Sequence, residues 1–566
     1  GSATLRNATL NVNVVFVGFD NDIVDVNYTR WNLDKVKYQS ILIPGISNNV
    51  AYTFNLTFSF APEDFTRALA HHLSHKAVED SLENPFFDRK KVRSVFYDAK
   101  DLESWLADHG WWFGAMPGAY NVLILNLTSH LPSITYGDYA NYIEKKALNF
   151  TAHYYNTSYV DVDLGLRVRR SYMTAWGGHG RLFFIDLSAG PSHWTNQLPL
   201  QVVTGKESID LRSPYGKRWL AQYISDYLKG VLDGLVAPDL IYDLKYVRKY
   251  SIRILVVDNR TDNRTVSLTD TVDRGLISER IKGLLPFADV DVSVLFLNAT
   301  SAPDLSDMII KSTYPKNGTH IVDARPIYEW LGSRGQRKLS HFLNLNATDG
   351  EYVIPVVAVA FSGKNQFGFT FKEKIRHEDR FENGIWGVAL EDMVLISHSS
   401  EDLRRGDKSD PKQPGKGYGF THTVLHEVGH MLGLTHPSQN DKTEDFVASA
   451  MAYYPYEAAF SAFDRDAVLR GFADKYLLKA REALSTTKNV LVNYSHIIIA
   501  ESDAEASEIF YAQMDYESAT SFALRAFEHA RKAQEGARLI PIAIWIPAAA
   551  AILLALTVLA PRRAEK

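Results

Sequence analysis

His426, Glu427 and His430 stand in the order His-Glu-X-X-His inside the stretch THTVLHEVGHMLGLTHP, Thr421 to Pro437. On a helix, a spacing of four puts both imidazoles on one face, close enough to share one ion. Neutral imidazole suits Zn²⁺, and a carboxylate beside a metal-bound water can take its proton. Gly433 is expected to end the helix or turn the chain sharply. Leu434 and Thr435 then carry the chain to His436, a third nitrogen. Three histidines and a water make the open tetrahedral set of a catalytic zinc, whereas a structural site is closed by four protein ligands. Two histidines on an apolar helix are more often satisfied core residues; the added Gly433 and His436 weigh against that here. His422, one turn before His426, is expected to cap or support the site without binding metal.

HEVGHMLGLTH resembles the extended zinc signature of the metzincin metalloproteases. SAMAYY, Ser449 to Tyr454, resembles their methionine turn, with Met451 fifteen residues after His436. Tyr453 matches the tyrosine that astacin-like and serralysin-like members place near the metal, and Pro437 is similar to the serralysins in particular. The resemblance implies a zinc endopeptidase acting on protein or peptide substrates. Zn²⁺ would sit on His426, His430 and His436, and Glu427 would be the general base. Tyr453 would bind metal or steady the oxyanion, and Met451 would pack beneath the site. The glycine-rich calcium repeats of serralysins and the cysteines of archaelysins and matrixins are absent, so no subfamily is assigned. The close match covers about thirty-five residues and a looser one roughly Tyr250 to Leu484.

Alternating elements must hold such a helix in place. SIRILVVD (Ser251–Asp258), VDVSVLFL (Val290–Leu297), YVIPVVAVAF (Tyr352–Phe361) and DMVLISHS (Asp392–Ser399) have strand character. Val272–Leu284 and Ala324–Phe342 have helical spacing, which makes this an α/β unit. The first 245 residues echo it. DAKDLESWLADHG (Asp98–Gly110) is similar to DARPIYEWLGSRG (Asp323–Gly335), and VVFVGFDN (Val14–Asn21) to IRILVVDN (Ile252–Asn259). In the register of an internal duplication, Tyr223, Ile224, Tyr227 and Asp233 stand where His426, Glu427, His430 and His436 stand, so the first copy would lack zinc.

The expected fold class is therefore α/β (α+β): a metzincin-like catalytic domain over 247–484, preceded by an α/β domain over 1–246. That first domain is either a degenerate, zinc-free copy or a retained pro-region. A helical stalk is expected over 485–538, one C-terminal transmembrane helix over 539–560, and a short cytoplasmic tail over 561–566. The span LIPIAIWIPAAAAILLALTVLA carries no charge across twenty-two residues, long enough for the hydrocarbon core, and PRRAEK follows as a basic stop.

Composition bounds the rest. The 566 residues exceed one core, and 46% apolar with 22% charged is ordinary for globular chains. A net charge of -5 without a basic block points away from nucleic acid. The absence of cysteine excludes disulfides, thiolate zinc sites and a cysteine switch. Twelve Asn-X-Ser/Thr sequons, at Asn7, Asn27, Asn55, Asn126, Asn149, Asn156, Asn259, Asn263, Asn298, Asn317, Asn346 and Asn493, exceed the roughly four that chance would give. They imply N-linked glycans on an exported chain. With the apolar tail, they predict a single-pass cell-surface protein, and many sequons without cysteine suit an archaeal surface protein. The competing function is a non-enzymatic structural or adhesive glycoprotein with a structural zinc. Glu427 separates the two, since a folding staple has no use for it.

Overall fold

The computed structural model describes residues 6–34, 38–39, 50–76, 78–83, 91–127, 130, 153–155, 160–162, 170–172, 175–177, 180–186, 201–204, 207–210, 212–236, 247–261, 267–316, 319–332, 338–362, 365–372, 379–385, 387–390, 392–400, 403, 419–434, 436, 449–451, 458–487 and 494–536. The chain forms two compact units. The larger comprises residues 8–47 and 51–468; the smaller comprises 1–7, 48–50 and 469–566.

Among the described residues the larger unit has six sheets, and the two largest, of six and five strands, form its frame. In the second, Lys249–Asn259 lies between Asp289–Asn298 and Glu351–Phe361, parallel to both; Glu351–Phe361 in turn pairs in parallel with Val394–Ser399. Gly387–Ala389 closes the edge, antiparallel to Val394–Ser399. The inner strands are continuous apolar runs because helices cover both faces. Leu255, Val257, Val357, Val359 and Leu395 pack on Leu305 and Ile309 of the helix Pro303–Lys311 and on Ile327 and Leu331 of Ala324–Leu331. Against the other face lies Phe420–Met431, which also packs on Arg274–Leu284.

In the first sheet, Arg6–Val17, Tyr120–Leu125 and Leu182–Asp186 are parallel neighbours in that order. Ala175–Gly177 closes one edge antiparallel to Leu182–Asp186, and Val50–Phe60 flanks Arg6–Val17 on the other side. Thr53 bonds the Ala8 carbonyl and Thr57 the Val12 carbonyl, an advance in one direction along both strands, as in a parallel pair. Apart from the short outer strand Tyr38–Gln39, both sheets thus run in one order, with the antiparallel edge strand directly preceding the last parallel strand in the chain. The helices Glu63–Lys76 and Ala99–Asp108 cover one face of the first sheet through Phe65, Leu69, Leu102 and Leu106.

In the smaller unit, Ala480, Ala483 and Leu484 pack on Ala500 of Tyr494–Ala512 and on Ala526 and Ala530 of the helical run that follows. Small side chains let these helices approach closely. Arg6, which belongs to this unit, donates to Asp474 and to Glu508 at 2.6 and 2.5 Å.

Several expectations change. The helix foreseen over Ala324–Phe342 stops at Leu331, because Gly332 takes a left-handed φ of 99° and caps it. The helical run foreseen from Ala504 to Ala537 begins earlier, at Tyr494, and breaks at Met514, whose φ is 61°. Asn7, Asn27, Asn55 and Asn346 are exposed. Asn126, by contrast, is buried, at 1% exposure. The membrane part of the fold class is overturned: among the described residues no helix is long and apolar enough to cross a membrane. The long helices that are described carry ionic residues throughout, such as Asp464, Arg470 and Asp474 of Ala462–Thr487 and Glu501, Glu505 and Glu508 of Tyr494–Ala512. The foreseen span 539–560 and tail 561–566 lie outside the described residues, and the single-pass cell-surface placement built on them is withdrawn.

Candidate metal centre

The helix Phe420–Met431 is buried along almost its whole length, His422, His426 and Glu427 included. An apolar helix with no solvent face can carry these groups only if each finds a partner. Thr421 accepts from the Asp273 amide at 2.8 Å and donates to the Thr271 carbonyl, which fastens the helix start to the segment entering Arg274–Leu284. Thr423 meets His398 of the last parallel strand at 2.8 Å.

Beyond Met431 the chain turns as its glycine predicts. Gly433 has φ 91°, and its amide and that of Leu434 donate back to His430 and Gly429. This reversal returns His436 to the helix. The Nε2 atoms of His426, His430 and His436 then lie 3.1, 3.2 and 3.2 Å apart. A tetrahedral zinc with bonds of 2.0–2.1 Å has ligand atoms about 3.3 Å apart, so the cradle fits it closely. Among the described residues these three form the one group able to hold a metal.

The far side of two rings fixes their chemistry. His426 Nδ1 meets the Ala450 carbonyl at 2.8 Å, and His430 Nδ1 meets the Leu434 carbonyl at 2.8 Å. A carbonyl only accepts, so each Nδ1 carries the proton and each Nε2 turns a lone pair inward. Two lone pairs 3.2 Å apart repel unless a cation lies between them. Protonation does not supply that charge. Burial and the neighbouring histidines hold His426 well below the ordinary imidazole value, burial lowers His430, and burial with His430 beside it takes His436 down to about 3. A site that keeps three imidazoles neutral and converging has the donor set of a metal centre.

Glu427 is 4% exposed, and burial pushes its carboxyl up to about 8 against a backbone hydrogen bond from Ala389 that favours the charged form. Met451 is fully buried, its sulfur set so close to Gly429 that a β-carbon there would collide with it. His422 stays out of the trio, its ring 6.4 Å from that of His426; burial, then His398, lowers it to about 3. Tyr453, Thr435 and Pro437 lie outside the described residues.

Residues that the motif did not suggest hold the floor of the site. Asp464 accepts from the amide and hydroxyl of Ser461 at 2.7 and 2.8 Å, and from Ser449. The Ser449 hydroxyl accepts from the Met451 amide at 2.9 Å. The Ala450 amide donates to the Ala459 carbonyl at 2.7 Å. This network sets the Ala450 carbonyl that orients His426. Ser461-X-X-Asp464 has the spacing of a capping box at the start of Ala462–Thr487, a signal present in the sequence. The edge strand Gly387–Ala389 left no such signal, yet it lies directly against Glu427.

No protein-family model matches this chain, and a search of curated proteins finds no match to it.

Proposed function

We propose that the chain is a zinc-dependent endopeptidase of the metzincin kind, acting on protein or peptide substrates. The observation that carries this reading is the convergence of three neutral Nε2 atoms within 3.2 Å, with a buried carboxylate at the next position of the same helix. His426, His430 and His436 would hold the metal. A bound zinc would supply a water of lowered pKa and a Lewis acid for the scissile carbonyl.

The protein's own groups do the rest. The Ala450 and Leu434 carbonyls lock two imidazoles in the tautomer and orientation that present Nε2. Glu427 takes a proton from the attacking water and passes it to the leaving amine. Tyr453 is assigned to the oxyanion on the metzincin resemblance, and Met451 packs without chemistry. The N-terminal α/β region is read as a degenerate copy, supported by the shared strand order and by Tyr223, Ile224, Tyr227 and Asp233 in the ligand register.

The reading is tested by zinc content and casein cleavage of the purified chain beside its Glu427→Ala variant. One zinc in both, with cleavage only by the wild type, supports it. Zinc in both without cleavage of casein or of a broad peptide library assigns the metal a structural role instead.

A further inference from the structure

Gly387 opens the antiparallel edge strand, pairing with Ile396. A glycine weakens a strand, and its presence there often marks another group's close approach. Here that group is Glu427. A β-carbon at 387 would stand 2.6 Å from Glu427 Oε1, 2.8 Å from Cγ and 2.9 Å from Cδ. All three distances are shorter than real carbon contacts allow. The chain at 387 has no left-handed backbone that would itself demand glycine. Two residues on, the Ala389 amide donates to the same carboxylate. One short strand therefore meets the glutamate twice, by an absent side chain and by a backbone donor.

We propose that Gly387 is a positioning residue: its missing side chain leaves the volume in which the Glu427 carboxylate is held, and with the Ala389 amide it fixes where that carboxylate points. This rests on the peptidase reading. Glu427 is enclosed and Gly387 only partly buried, so a methyl at 387 drives the carboxylate aside. Displacing a proton-transfer group by about 1 Å is enough to lower a rate roughly 100-fold. Two of the three imidazoles, His426 and His430, are anchored to Ala450 and Leu434, away from this contact, so metal binding is spared.

The test is Gly387→Ala in two backgrounds, wild type and Glu427→Ala, reading zinc content, Tm, and kcat and KM on a fluorogenic peptide selected with the wild type. The expected result in the wild-type background is one zinc retained, kcat lower by about 100-fold and KM within about threefold. Tm should fall with Glu427 present and stay level with Glu427→Ala, since truncation opens the space. An unchanged kcat overturns the proposal. So does an equal fall in Tm in both backgrounds, which would mean that the strand itself requires glycine. If Gly387→Ala alone fails to fold, the double variant decides: a folded double variant supports the contact, and an unfolded one overturns it. A wild type that holds zinc and cleaves nothing overturns the peptidase reading and this catalytic role together, while the Tm pair still reports the contact.

Discussion

The two largest sheets of the larger unit share a strand order, yet the helices that follow them differ in how they end. After the first sheet, Pro214–Val236 runs unbroken for 23 residues. Leu220, Ile224, Tyr227, Leu228 and Val231 form a buried stripe along it, and Gly230 stays inside the helix. After the second sheet, Phe420–Met431 stops at 12 residues, and Gly433 at φ 91° reverses the chain. Both helices pack on the helix that follows the first strand of their own sheet: Asn32 reaches Gln222 and Ser225 in one case, and Thr421 meets the Asp273 amide in the other. One scaffold therefore carries an apolar helix and a helix whose histidines converge with a third beyond its end. The difference lies in three histidines, one glutamate and an early stop that brings the third histidine back.

The largest effect is expected from Glu427→Ala, which should lower peptide hydrolysis by about 10²- to 10⁴-fold while zinc content stays at one. His430→Ala removes an anchored ligand and should weaken zinc binding by more than the roughly 10- to 100-fold that loss of an outer partner brings; titration against a chelator measures this. Transplanting the pair sharpens the comparison. Tyr223→His with Tyr227→His copies the spacing of four onto the uninterrupted helix, and zinc content should not rise, because no turn delivers a third ligand there. Elemental analysis reads the result, and a second bound zinc would show that helical spacing alone makes the site.

Removing metal exposes the pH dependence. In the folded chain Glu427 titrates near 8, above its unfolded value near 4.5. Between those values the folded state holds the extra proton, so this group's stabilising contribution is full below about 4.5 and is lost as pH rises through about 8. Metal-free Glu427→Gln should therefore match the wild type near pH 4.5 and exceed it in stability above pH 8, by a few kcal/mol, in thermal melts. His436 works in the opposite direction: held at about 3, it lowers stability as pH falls below about 6.5. The smallest effect is Gly433→Ala. A left-handed φ costs a side-chain-bearing residue about 1–2 kcal/mol, which should appear as a lower Tm and a modest loss of zinc affinity.

What the sequence made legible was contiguous. The convergence of the three histidines follows from spacing along one helix and its glycine stop, and the parallel strands from runs rich in apolar, β-branched residues whose foreseen ends lie within two residues of the observed ones. What it hid depends on distant parts meeting. The edge strand Gly387–Ala389 has three small residues and no period to detect. The hold of Asp464 on Ser449 joins residues fifteen apart across the turn beside the histidine trio. Asn126 reads as a surface sequon, but it follows directly on the buried strand Tyr120–Leu125, with its amide bound to Val17. The apolar tail shows the converse risk, since an uncharged run in a sequence states only what could cross a membrane.

The most direct test of the central claim is X-ray absorption at the zinc edge on the purified chain, beside His430→Ala. Three imidazole nitrogens and one oxygen at about 2.0–2.1 Å, with the nitrogen count reduced or the metal lost in the variant, is the result the geometry predicts. A zinc-free wild type, or a zinc whose shell is unchanged by His430→Ala, would contradict it.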